Sequence, residues 1–125
     1  MQIETRQFAD TALVGVVGRV DHRSAGELER ALAETMARGD GSVVLDFSGV
    51  EYISSVGLRV LMVAARQMRA RAATLAIAAL QPVVAEIFAI SRFDRVLAVH
   101  ADLPSALAQC SPAALAAWQA AAQAP

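Results

Sequence analysis

The amino-acid sequence predicts an α/β fold, a mixed and mostly parallel sheet of about five strands with an antiparallel leading edge strand, packed with about four helices and followed by a C-terminal helical tail. Three observations carry that prediction. Short apolar runs alternate with stretches whose apolar residues recur every three to four positions, the order of a chain that winds strand, helix, strand. The first two runs are separated only by Ala9-Asp10, too short for a crossover, so they pair antiparallel at one edge. Within residues 43–68 the pattern passes from a continuous apolar run to helical spacing, which places a strand, a turn and a helix in immediate succession.

In chain order, residues 3–8 alternate loosely with period two and residues 12–17 are more apolar, so a β-hairpin leads the chain; residues 18–21 leave the second strand. Ser24, with Glu27 three positions later, has the spacing of a capping box for a first helix. Its inward stripe is Leu28, Ala31, Leu32, Thr35 and Met36, and Gly39 ends it. Val43, Val44 and Leu45, bounded by Asp40-Gly41 and Ser48-Gly49, read as a short strand buried on both faces. In the helix that follows, at about 100° per residue, Val60, Leu61, Ala64, Ala65 and Met68 fall on one side. Arg59, Met62, Arg66 and Arg69 fall on the other, and that second stripe begins at Ser55. Ser54 and Ser55 are both candidates to cap the helix, and Gly57 projects inward where a larger side chain would hold the first turn off the sheet.

A short buried strand at 74–78 follows the arginine-rich end of that helix. Pro82, with Val83, Ile87 and Ile90 at helical spacing, gives a third helix that Ser91-Arg92 terminates. A strand at 96–99 and a helix at 103–109 complete the series. Residues 111–125 are alanine-rich, with Ser111 as cap, Pro112 at the first helical position and Leu115, Trp118 and Ala122 on one face. They read as a terminal helix packed loosely on the domain or frayed, ahead of a dimer or partner contact.

Composition narrows the function classes. A chain of 125 residues fits one domain, and a formal net charge of −1 gives no overall field for nucleic acid or an anionic membrane. Arginine supplies all eleven basic charges. Cys110 is the only cysteine, which excludes an internal disulfide and a cysteine-based zinc site. The first ten residues lack the basic and apolar regions of a signal peptide, and no apolar run approaches the ~20 residues that span a bilayer, so a cytoplasmic protein is expected. Ile53 stands where a G-x-S-x-G elbow needs glycine before Ser55. Asp21 and His22 are adjacent and not set in line as orienter and base, and His100 at a strand end reads as structural or solvated. No phosphate-binding glycine loop precedes a helix, and the histidines and acids are not at metal-ligand spacing. No catalytic residue, metal or cofactor is therefore expected.

The segment LDFSGVEYISSVGLRVL, residues 45–61, resembles the signature of the STAS domains, and within them the bacterial anti-sigma factor antagonists. Tyr52 matches the family's aromatic, Ile53 its aliphatic, Ser55 its phosphoacceptor and Gly57-Leu58 its close. Ser54 stands where many members have an acidic residue, and Val56 where many have Ser or Thr. The Ser-Ser pair leaves Ser54 as an alternative acceptor. The resemblance implies a STAS domain over 2–109, with 111–125 as a tail. It further implies that the unphosphorylated form binds an anti-sigma factor, an ATP-dependent serine kinase of the histidine-kinase-like fold, and so frees a sigma factor. Phosphorylation of Ser55 by that kinase would release it, and a serine phosphatase would reset it. Asp21 matches an acidic position near the acceptor, where it orients the hydroxyl or helps a kinase draw off its proton, against the plainer reading of a solvated loop carboxylate. Arg59, Met62 and Arg66, in the stripe of Ser55, are the expected partner-binding residues, against the plainer reading of a solvated helix face. The resemblance also allows a second job, that of a regulatory subunit attached to an ABC-type lipid transporter or a stress-sensing assembly.

Overall fold

The computed structural model describes residues 1–123 of the chain; the end of the expected tail, 124 and 125, lies outside the described residues. The elements run β1 (Gln2–Phe8), β2 (Thr11–Val20), α1 (Ala25–Ala37), β3 (Val43–Ile53), α2 (Ser55–Ala70), β4 (Leu75–Ala78), α3 (Pro82–Ile90), a 3₁₀ turn (Phe93–Arg95), β5 (Ala98–His100), α4 (Leu103–Cys110) and α5 (Pro112–Gln123). The five strands form one sheet in sequence order, with β1 antiparallel to β2 and every other pair parallel. This is the mixed sheet with an antiparallel leading strand that the sequence predicts.

The sheet is covered on both faces. On one, α1, α2 and α3 bury Leu28, Leu32, Leu61, Met68, Val84 and Phe88 against Val14, Leu45, Phe47 and Ile77. On the other, α4 and α5 close over Phe8, Leu13, Val44 and Ala76 through Ala106, Leu107 and Ala114. Central strands with helices on both sides must be apolar on both sides, and the burial of Val43, Val44 and Leu45 in succession follows. All five residues expected on the inner side of α2 are buried.

Several elements differ from their sequence reading. The strand read at Val43 to Leu45 is eleven residues long and passes through Ser48 and Gly49. Gly49 is not a turn there but a point of close approach, where a β-carbon would meet Val17 Cγ2 at 2.8 Å and the Val16 carbonyl oxygen at 3.1 Å, beside a register shift between β2 and β3. β2 likewise continues to Val20. Ser24 is the N-cap of α1 by position, but its hydroxyl makes no capping bond. It donates instead to the Arg19 carbonyl at 2.7 Å and accepts from the Asp21 amide at 2.9 Å, so the capping box with Glu27 does not form. In α3 the buried residues are Val84 and Phe88, while Val83 and Ile90 are exposed; a helix apolar almost all round does not reveal its inner stripe by periodicity. Arg92, at φ 60°, ends α3 in the left-handed region, the chain winds once through the 3₁₀ turn, and the last strand begins at Ala98, two residues later than expected. In α5, Ala114 is buried and Leu115 and Trp118 are half-buried against the sheet, but Ala122 faces solvent.

Candidate functional site

β2 and β3 are parallel, so they end together: Val20 pairs with Ile53. The Ser54 amide then donates to the Val20 carbonyl at 2.8 Å, tying the start of the next helix to the end of the neighbouring strand. Ser54 is the N-cap of α2, with extended backbone (φ −86°, ψ 171°), and its hydroxyl accepts the Gly57 amide at 3.2 Å. That is the standard service of a capping serine to the free first-turn amides. Of the two cap candidates, Ser54 is the one used. Ser55 is the first residue of α2, exposed, and its hydroxyl makes no hydrogen bond among the described residues.

Gly57 is buried one turn into the helix, and a β-carbon there would stand 2.7 Å from Val20 Cγ1 and 2.8 Å from Ile53 Cγ1. The first turn of α2 can rest on the ends of β2 and β3 only because that carbon is missing, as the sequence reading required. The same strand ends carry the turn of Asp21, which is brought to the same end of the sheet as Ser55. Its carboxylate is turned onto its own loop: Oδ1 accepts from the Arg23 amide at 2.9 Å and from the Ser24 amide at 3.2 Å. The Arg23 and Ser24 amides hold the Asp21 carboxyl below the usual carboxylate range.

Down the outer side of α2, Arg59 and Arg66 are exposed in line with Ser55. Arg59 lies one turn on. Arg66 lies three turns on, about 16 Å along the axis at 1.5 Å per residue, so it flanks the serine without adjoining it. Met62 is not offered outward as the helical stripe suggested: it is half-buried and packs on the core. The exposed apolar side chain beside the serine is Val56, 45% exposed, a residue the stripe passed over because it projects about 100° around the helix from Ser55. Tyr52 points to the other face of the sheet, where the Arg19 guanidinium lies 4.6 Å from its ring centroid. Among the described residues no group of His, Cys, Asp and Glu is disposed to hold a metal ion, and no helix is long and apolar enough to cross a membrane.

The model of the family described as Mlab, STAS domain matches residues 3–100. The chain belongs to the STAS domain family. Relatives of this STAS chain include BtrV of Bordetella bronchiseptica, named as a candidate anti-sigma factor antagonist and 42% identical over 76 residues, which is 61% of this chain and 66% of that protein. The chain thus matches just under two thirds of the length of that relative. Among solved structures, an anti-sigma factor antagonist from Mycobacterium paratuberculosis superposes with a TM-score of 0.79 at 23% identity, over 87% of this chain and 92% of that one. The Bacillus cell fate determinant SpoIIAA in its phosphorylated form superposes with a TM-score of 0.67 at 14% identity, over 88% of this chain and all of that one, 100%. At these identities the likeness is one of fold.

Proposed function

We propose that this STAS domain is an anti-sigma factor antagonist, whose hold on an anti-sigma factor serine kinase is released by phosphorylation of Ser55. The observation that carries the reading is the division of labour between the two serines: Ser54 is spent on the cap at 3.2 Å, and Ser55 is exposed with its hydroxyl free. A kinase needs a hydroxyl it can reach, and the fold needs one it can keep. The name of BtrV supports the choice of partner class.

A phosphoryl group adds roughly 1.5 to 2 negative charges. At the first residue of a helix it lies at the positive end of the dipole, a placement worth ~0.3 to 1 kcal/mol for an exposed anion, and Arg59 stands at the i+4 position to pair with it. The domain therefore keeps its fold when modified. A partner seated over Ser55, Val56 and Arg59 faces instead a dianion that it must desolvate, and the complex comes apart without any large rearrangement. The released kinase then holds its sigma factor, and a serine phosphatase restores the binding form. Asp21, bound to its own loop, acts here by shaping the turn beside Ser55.

The test is a pull-down of the anti-sigma kinase with Ser55→Ala and Ser55→Asp. Alanine keeps binding and aspartate weakens it; equal binding by both sinks the switch. Mapping the phosphate after kinase treatment of Ser54→Ala shows modification at Ser55. Capture of a transporter ATPase in place of a kinase would move the domain to the regulatory-subunit reading.

A further inference from the structure

We propose that β1 is a dimerisation edge, on which a second copy of this chain pairs antiparallel about a two-fold axis through Thr5. Both edges of the sheet end on an unpaired strand, but they differ in kind. β5 is three residues long, which is itself protection against edge pairing. β1 is seven residues long and in unbroken register with β2, from Gln2↔Val17 to Phe8↔Thr11. It has no proline, no bulge and no lysine, and among the described residues nothing pairs with its outer side.

The ladder fixes which residues present their backbone outward. The two-residue connection Ala9-Asp10 makes Phe8↔Thr11 the closing hydrogen-bonded pair, and bonded pairs then alternate along the strand. Arg6 and Glu4 bond inward to β2, so Ile3, Thr5 and Gln7 turn their N–H and C=O groups to the open edge. A dyad at Thr5 joins Thr5 to the second Thr5 and Ile3 to the second Gln7, all through outward-facing groups. In this register Glu4 of each copy lies opposite Arg6 of the other, in the closely spaced non-bonded pairs where side chains interact most strongly. Glu4 and Arg6 project on the face of the sheet that carries Trp118, with the Arg6 guanidinium over the Phe8 ring at 4.8 Å.

The opposite face of the strand carries mixed charge as well. A groove of about 340 Å³ runs between Ile3 and Thr5 of β1 and the flank of α1 that carries Glu27, Arg30, Glu34 and Arg38. Acidic and basic residues alternate along that flank, so it sets up no field of one sign that would repel a second copy. In the Thr5 register the charges of β1 attract across the axis and do not repel.

The full chain is examined by light scattering on a sizing column and by sedimentation over a concentration series. A dimer mass is expected for the wild type. Glu4→Arg and Arg6→Glu, each of which sets like charges opposite, should shift the mass to the monomer, and the double exchange Glu4→Arg with Arg6→Glu should regain the dimer. Thr5→Pro removes an outward N–H without touching the β2 ladder, a change an edge strand tolerates, and should give a monomer with unchanged far-ultraviolet dichroism. A wild type that stays monomeric across the series overturns the proposal. So does a dimer that survives the single reversals or Thr5→Pro, and so does a folded double exchange that fails to regain it. Should a charge variant unfold, Thr5→Pro decides alone.

Discussion

Ser54 and Gly57 fix the start of α2 between them: the Ser54 hydroxyl accepts the Gly57 amide at 3.2 Å, and Gly57 rests with no room for a β-carbon on Val20 and Ile53. One residue supplies the polar satisfaction of the helix end and the other its closeness to the sheet. Ser55 stands between them in sequence and takes part in neither. Among the described residues no hydrogen bond of the fold depends on the Ser55 hydroxyl.

Removing the Ser54 hydroxyl should therefore cost more than removing that of Ser55. Ser54→Ala is expected to lose about 1 kcal/mol of stability, the usual worth of an N-cap serine, whereas Ser55→Ala, at an exposed position with no bonded partner, should stay within about 0.5 kcal/mol of the parent. Urea unfolding of the two variants checks the order. A larger loss for Ser55→Ala would mean that its hydroxyl has a structural partner.

Gly57→Ala sets two effects against each other. Alanine favours a helix over glycine by about 1 kcal/mol, but the new carbon meets Val20 and Ile53 inside 3 Å, and overpacking of this kind costs typically ~1 to 3 kcal/mol. The clash is with side chains buried at 0% and 1% exposure, which have nowhere to swing. These two ranges leave a net loss of up to about 2 kcal/mol, measured by chemical denaturation. A stabilised variant would show that the strand ends yield.

The same residues mark how far the sequence was legible. The alternation of strand and helix, the antiparallel lead and the inner stripe of α2 could be read because each rests on local periodicity. Gly49 and α3 could not. Gly49 sits in mid-strand because Val17, more than thirty positions away, leaves no room for a side chain, and a glycine beside a serine looks locally like a turn. In α3 nearly every residue is apolar, and only the packing of Val84 and Phe88 on the sheet selects the inner face. At the site, Ser55, Gly57, Arg59 and Arg66 fell where spacing put them. The tie between Ser54 and Ser55 as cap was broken by the direction of one hydroxyl, which no pattern encodes, and Val56 was passed over for the half-buried Met62.

Acid should weaken the fold through its turn and cap carboxylates. The Arg23 and Ser24 amides lower the pKa of Asp21, and the Ser105 hydroxyl and amide lower that of Asp102, the N-cap of α4. A carboxyl whose folded pKa is depressed contributes stability above its unfolded value and loses it as pH falls through the folded value. Unfolding midpoints should therefore be flat near neutrality and decline below the ordinary aspartate range. Asp102→Asn, which keeps a good cap without the titrating charge, should match the parent at neutral pH and decline less steeply in acid. An identical acid limb would remove Asp102 from the account.

The last prediction concerns a tie between the ends of two helices. α1 has no basic residue in its last turn, yet its end is served from a distance: Arg71, capping the end of α2, donates Nη1 to the Met36 carbonyl at 2.7 Å and Nη2 to the Gly41 carbonyl at 3.2 Å. A guanidinium there answers both the free carbonyls and the negative end of the α1 dipole. It also holds the loop in which Gly41 runs against the Asp10 backbone. Hydrogen bonds from a charged donor are worth about 1.5 to 3 kcal/mol, so Arg71→Ala should lower stability by that order and speed amide exchange in the last turn of α1. Arg71→Lys, a point charge in place of a fork, cannot span both carbonyls and should recover only part of the loss. If Arg71→Ala left exchange in α1 unchanged, the tie would be a contact without consequence, and the order of the α1 end would have to come from the packing of Leu32 and Thr35 alone.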